Sequence, residues 1–330
     1  MKKSTVILSV ILIISIIVLC GCTDETSNNG NPPNNNGPTN IFVDKNGEAD
    51  FSTIQDAIDN ASEGDIINVR EGYYNELLSI NKTISLIGAG RDNTVIEFNV
   101  TEGGVIGETI LISADNCLIT GFEISCGETN DNIQGILIES SNNTISNNRF
   151  LFGDDGIKLG QDSKYNIIKN NYFSSSTKGI FIHYSEFNNI SENQFQNSSY
   201  FAIYAYASDS NFISNNHFSN NSACVRITGS EKNRVYGNTF INNDGGVLLC
   251  CNSEDNTIYY NNFISNKNWH ASVGETLNNI WDDEGLGNYW DDYEENYQNA
   301  TKKDGIWQTP YEVSSEANKD YYPLVDPIDS

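Results

Sequence analysis

Apolar and polar positions follow a long-period pattern between residues 143 and 263. An eight-residue phrase recurs six times, as NTISNNRF, NIIKNNYF, NNISENQF, NFISNNHF, NRVYGNTF and NTIYYNNF, at steps of 22 or 23 residues. Alignment of the phrases yields three columns. One is apolar (Ile145, Ile168, Ile190, Ile213, Val235, Ile258), one is amide (Asn148, Asn171, Asn193, Asn216, Asn238, Asn261) and one is aromatic (Phe150, Phe173, Phe195, Phe218, Phe240, Phe263). A helical repeat would space its apolar residues near 3.6, whereas these columns lie five apart among β-branched residues and Asn/Gly turn signals. A fixed period of this length means stacked units that bury their apolar sides against each other. The pattern predicts an all-β chain, a single right-handed parallel β-helix. The stacked amides are expected to hydrogen-bond along its axis as a structural ladder.

Each repeat holds a second strand, at residues 135–138, 156–159, 179–182, 202–205, 224–227 and 246–249. Strand alternation turns its first and third apolar residues inward. The outward positions are then Leu137, Lys158, Phe181, Tyr204, Arg226 and Leu248, followed two residues on by Glu139, Gly160, His183, Tyr206, Thr228 and Cys250.

Outside the repeats the pattern changes. Residues 1–22 combine Lys2 and Lys3, an apolar run and the ending Leu19-Cys20-Gly21-Cys22, a signal peptide with a lipobox-like end in which Cys22 would carry the lipid. An uncleaved anchor helix is the alternative. Residues 23–40 read as a disordered tether, 41–100 as an N-terminal cap with the first coils, 101–275 as the β-helix and 276–330 as an aromatic C-terminal cap. In the first cap, Ser52-Thr53-Ile54-Gln55 can form a capping box, and Ile54, Ala57, Ile58 and Ala61 share one helical face. Trp281, Tyr289, Trp290 and Trp307 are expected to close the last coil.

The net charge of -26, from 44 acidic and 18 basic residues, argues against nucleic acid as a partner. Of the cysteines beyond the leader, Cys117, Cys126, Cys224, Cys250 and Cys251, none lies one repeat from another, so no stacked disulfide framework is expected. Cys250 and Cys251 are adjacent and should point to opposite faces of a strand.

Two resemblances follow from quoted residues. The order helix, strand, Gly72-x-Tyr74-x-Glu76, strand resembles the opening of pectin methylesterases and other pectin-lyase-like proteins, without the esterase catalytic motifs. The repeats together with the segment WDDEGLGNYWDDY at 281–293 and Pro310-Tyr311 resemble the NosD-like β-helix family, also described as carbohydrate-binding and sugar-hydrolysis repeats. That family's calcium-loop-like run would fall on Ala300, Lys302, Asp304, Gly305 and Gln308, where one carboxylate is too few for calcium. The family name implies copper handling. With His183 and His217 about one and a half coils apart and methionine absent after Met1, the sequence points to no metal site and no cofactor.

Asp154-Asp155-Gly156 resembles the paired aspartates of polygalacturonases, although Gln134 stands where the partner aspartate would lie one coil earlier. The same tripeptide is ordinary turn punctuation, so Asp154 and Asp155 are weak catalytic candidates. The ligand-binding candidates are Lys158, Phe181, His183, Tyr204, Tyr206 and Arg226. Coils about 4.8 Å apart would let a glycan lie along the axis, stacked on the aromatics with its carboxylates on the cations. The sequence therefore reads as an exported monomer, tied to the membrane through an N-terminal lipid or anchor. It would bind a polysaccharide or another envelope component without catalysis. The alternatives are a polysaccharide lyase or glycoside hydrolase, and an accessory protein in metal-cofactor maturation.

Overall fold

The computed structural model describes residues 37–98, 107–126, 133–274, 278–315 and 318–329. The leader, the tether up to residue 36 and Cys22 lie outside them. Among the described residues no helix is long and apolar enough to cross a membrane.

Three parallel sheets of ten, nine and ten short strands wind around one core. They form a right-handed β-helix. Each coil contributes one strand to each sheet, so the sequence columns become rows of contacts. Ile145 pairs with Ile168 and Ile168 with Ile190 in the first sheet, while Phe150 pairs with Phe173 and Phe173 with Phe195 in the third. The phenylalanines are buried and stack with centroids 4.8 Å apart at Phe150–Phe173 and Phe173–Phe195. Parallel in-register pairing places like side chains directly above one another, which favours identical residues that fit face to face.

The corners are held by amides. Asn193 Oδ1 accepts from the backbone N–H (2.9 Å) and the side-chain Nδ2 (3.1 Å) of Asn171, and Asn193 Nδ2 donates to the Ile168 carbonyl at 2.8 Å. The expected ladder is thus present, and a second one runs at another corner. There the Asn166 backbone N–H donates to Asn188 Oδ1, the Asn188 N–H to Asn211 Oδ1 and the Asn211 N–H to Asn233 Oδ1. These are the opening residues of the repeated phrase. Asp320 ends the first ladder, accepting from the Asn288 backbone N–H at 2.7 Å and from Trp290 Nε1 at 2.9 Å.

Both ends are covered. The helix Ile54–Asn60 buries Ile54, Ala57 and Ile58. Its N-terminus corrects the expected capping box: Thr53, not Ser52, is the cap, and its partner three residues on is Asp56. The Glu76 carboxylate accepts from the first two helical N–H groups, Ile54 and Gln55, at 3.0 Å each, which satisfies two orphan donors with an anion. At the other end Trp290 continues the phenylalanine row. Its ring lies 4.4 Å from Phe263 and 4.2 Å from Tyr311. Trp281 and Trp307 are also buried, whereas Tyr289 is half-buried.

Candidate functional site

The second sheet carries the outward-facing candidates. Its strands include Asp155–Leu159, Lys178–His183, Phe201–Tyr206, Val225–Thr228 and Gly245–Cys250. Ile157, Leu159, Ile180, Ile182, Ile203 and Ala205 alternate into the core and are fully buried. Register then places Lys158 beside Phe181, Phe181 beside Tyr204 and Tyr204 beside Arg226. A second row runs His183, Tyr206, Thr228, Cys250. All six proposed ligand-binding residues therefore share one surface.

Their orientation departs from the expected mode of binding. Phe181 and Tyr204 stack on each other with centroids 5.2 Å apart. Lys158 Nζ lies over the Phe181 ring at 5.8 Å from its centroid, and Arg226 Cζ over Tyr204 at 5.0 Å. The row is a stack of cation, ring, ring, cation along the coil axis. Ring faces are occupied by neighbours in the row, so the surface offers ring edges, hydroxyls and cations rather than a stacking platform. The reason is the register that stacks the core phenylalanines: equal positions in parallel strands face each other along the axis. Among the described residues neither Lys158 nor Arg226 has a carboxylate within ion-pair distance. Arg226 is oriented by neutral groups, donating to Tyr200 Oη at 2.6 Å and to Thr228 Oγ1 at 3.0 Å. Burial, and then the Lys158 charge, hold His183 below its ordinary range.

The aspartate pair adjoins this surface through a residue that the sequence reading missed. Lys178 Nζ lies 3.0 Å from Asp154 Oδ1, 2.9 Å from Asp155 Oδ1 and 5.5 Å from the Phe181 centroid. The signal was available, because Lys178 is the register partner of Asp155 one coil on. Asp155 is 2% exposed, and Oδ1 has no aligned hydrogen-bond partner despite the ion-pair contact. Burial pushes its carboxyl up to about 6, against the opposing pull of Lys178.

Two further clusters lie outside this stack. Cys250 and Cys251 do not point apart, which corrects the strand-based expectation. Cys251 takes a left-handed conformation, with φ at 60°, where the strand Gly245–Cys250 ends. That turn brings its Sγ to 3.1 Å from Cys250 Sγ. Near the C-terminal end, His270 Nε2 lies 2.9 Å from Asp291 Oδ1 and 3.7 Å from Asp292 Oδ1, beside an open cavity of about 530 Å³. No motif announces this second trio, since His270 and Asp291 are 21 positions apart and the two aspartates lie beyond the last repeated phrase.

A family model described as periplasmic copper-binding protein (NosD) matches residues 58–295 of the chain. Over 89 residues the chain is 33% identical to a probable pectinesterase 55 of Arabidopsis thaliana, a match covering 25% of this chain and 27% of that protein. The chain thus spans about a quarter of the length of that curated relative. Among solved structures, it resembles the mannuronan C-5 epimerase A-module of Azotobacter vinelandii at TM-score 0.53 and 14% identity, covering 73% of this chain and 76% of that one. It also resembles the DFA-IIIase of Arthrobacter chlorophenolicus A6 at TM-score 0.52 and 14% identity, covering 71% and 69%. At such identities the likeness to these structures concerns the fold alone.

Proposed function

From the premise that the chain belongs to the NosD family, we propose that the outer surface of its second sheet is a non-catalytic recognition site for an acidic polysaccharide or a similar anionic envelope component. The observation that carries this reading is the pair of cations, Lys158 and Arg226, which among the described residues have no carboxylate within ion-pair distance, on a protein of net charge -26. They flank Phe181 and Tyr204 across three coils, roughly 14 Å at the usual strand spacing. That distance spans carboxylates about three residues apart on a uronic acid chain and is too long for two groups acting on one bond. Tyr204 adds a hydroxyl in this row, and Tyr206 adds one in the adjacent row. The periplasmic description of the family agrees with export of this chain. Attachment through Cys22 is part of the proposal.

A screen of the purified protein against acidic and neutral polysaccharides tests the reading, with Lys158→Ala and Arg226→Ala as companions. Retention of acidic chains, weakened about tenfold or more by either substitution, supports it. Equal retention by both variants would sink it.

A second reading is favoured by Asp155. A carboxyl that titrates near 6 beside a second aspartate and a lysine is suited to proton transfer. Release of reducing ends or unsaturated products from a polyuronate, abolished by Asp155→Asn, would establish that reading and replace the first.

Copper, which the family description names, must be weighed against the donors present. At His270 they do not fit. Asn266 Oδ1 accepts from the Asn243 side-chain amide at 3.0 Å, which fixes Nδ2 of Asn266 toward His270 Nδ1 at 3.2 Å. Nδ1 is then the acceptor, and the proton sits on Nε2, where it donates to Asp291. The imidazole has no lone pair to offer an ion on the side of the two aspartates.

A further inference from the structure

The outer face of the first sheet carries an apolar patch apart from the recognition site on the second. Tyr165, Ile167, Phe187 and Phe212 are 37% to 55% exposed there. Ile167 and Phe212 are the register partners of Asn189 on the strands Ile167–Lys169 and Phe212–Ser214, about 4.8 Å away on either side. Tyr165 and Phe187 stand two residues before Ile167 and Asn189, and their rings stack with centroids 5.4 Å apart. Four large apolar side chains thus gather about one asparagine, and a contiguous patch of this kind marks a surface that something covers.

Asn189 is unlike the asparagines of the ladders. It is exposed, and among the described residues its side-chain amide makes no hydrogen bond. Its neighbour Asn188 is fully buried, donates from Nδ2 to Asn211 Oδ1 at 3.1 Å, and opens the triplet Asn-Asn-Ile. Asn189 instead opens Asn189-Ile190-Ser191, the acceptor pattern for an N-linked glycan. The same place in the other phrases holds Thr144, Ile167, Phe212, Arg234 and Thr257, so among the six phrases this one alone puts an asparagine there. Further triplets open at exposed asparagines, Asn197, Asn220 and Asn299 among them. Asn189 is set apart by exposed apolar register partners on both sides.

We propose that Asn189 carries an N-linked glycan that lies over this patch. The donor is a polyprenyl-phosphate-linked or pyrophosphate-linked oligosaccharide on the export side of the membrane. Asn189 Nδ2 attacks the anomeric carbon and a C–N bond forms. The anomeric C–O bond breaks with its electron pair going to the lipid phosphate, and one Nδ2 proton leaves to a base of the transferase. Ser191 sets the timing. It is 9% exposed in the finished coil, so a transferase that must reach the asparagine and this hydroxyl together acts before the strand docks. In the folded protein the first sugars cover Ile167 and Phe212 and turn their hydroxyls to water, which removes apolar surface from solvent.

The test is site-resolved mass spectrometry of the full-length protein isolated from the cells that naturally make it. Asn189→Gln, Ser191→Ala and Ser191→Thr are expressed in the same cells. Sugar mass is expected on Asn189 in the wild type and in Ser191→Thr, and is lost in the other two. Binding of the apolar dye anilinonaphthalene sulfonate should rise several-fold in Asn189→Gln at an unchanged circular dichroism spectrum. Adding Phe212→Ser to Asn189→Gln should lower it again, which ties the dye to this patch. A bare Asn189 in the native protein would overturn the proposal, whether the patch is then open or covered by a second copy or another protein. Dye binding equal with and without the sugar would overturn the covering role.

Discussion

The Lys178 ammonium lies 2.9 Å from Asp155 Oδ1, one coil away, and the two are register partners on neighbouring strands of the second sheet. Asp155 is nearly inaccessible to solvent and Lys178 is 12% exposed, so the contact joins a buried carboxylate to the underside of the cation–aromatic row. Desolvation of each ion is opposed by attraction to the other, and removal of one partner leaves the second uncompensated.

Lys178→Met should therefore destabilise the protein by about 3–5 kcal/mol at neutral pH. Chemical denaturation monitored by circular dichroism would measure it. At pH 5 the loss should shrink, because the orphaned Asp155 can then take up a proton. A loss equal at both pH values would show that packing of the lysine stem, rather than its charge, is what matters.

Asp155 also sets a sign for the pH dependence of stability. Its carboxyl, mainly through burial, titrates at about 6 in the folded chain against an ordinary 3.8. The folded state holds this proton more tightly than the unfolded state, so the contribution is fully present below about 3.8 and is lost as pH rises through 6. It amounts to something on the order of 3 kcal/mol. Asp320, which burial pushes up to about 7, works in the same direction over a window that reaches higher. The lowered carboxyls Asp44 and Asp65 act in the opposite sense, below about 3.8. Stability between pH 7 and 4.5 should thus increase on acidification, and Asp155→Asn should flatten part of that slope. A slope unchanged in the variant would contradict the role given to burial.

Asn193 lies in the middle of the first amide ladder. Replacement by Ala would strip the Asn171 backbone N–H and the Ile168 carbonyl of their partners inside a dry corner. At about 1–3 kcal/mol for each buried orphan, the loss should be roughly 3–5 kcal/mol in a denaturation experiment. Asn193→Asp keeps an acceptor but loses the donor and adds a buried charge, so it should be worse at pH 7 than at pH 5. A loss under 1 kcal/mol for the Ala variant would mean that water takes over the ladder's role.

If the Lys158–Arg226 surface binds polyuronates through charge, affinity should fall as salt rises beyond 0.1–0.2 M, where the Debye length shrinks below about 10 Å. Tyr204→Phe should cost less than loss of either cation, because the ring keeps its place between Phe181 and Arg226 and only one neutral hydroxyl is removed. Arg226→Ala should cost tenfold or more and flatten the salt dependence. Affinity titrations at three ionic strengths give both slopes, and salt-independent binding would exclude charge as the basis of recognition.

Much of the fold was legible because the repeat translates sequence steps directly into contacts. With one coil every 22 or 23 residues, Ile168 must pair with Ile190 and Phe173 with Phe195, and the structure places them so. The same arithmetic gathers Lys158, Phe181, Tyr204 and Arg226 on one surface and would have supplied Lys178 beside Asp155. It also contained the second ladder, since its asparagines open every phrase.

What the column arithmetic left undecided is where side chains point when the backbone leaves the strand, and what fills the space between rows. Strand alternation sends Cys250 and Cys251 apart, but one left-handed residue brings their sulfurs together. Alternation also exposes Phe181 and Tyr204 without revealing that their faces are covered by each other and by the flanking cations. At the ends, where the period stops, no register links His270 to Asp291 or Glu76 to the N-terminus of the first helix. The sequence by itself determined the coil, its core and the composition of its exposed rows, because periodic burial constrains every repeat in the same way. Only the tertiary structure decided which exposed groups already satisfy one another and which still have something to offer a ligand, because that depends on local turns and on distances of a few ångströms that no period encodes.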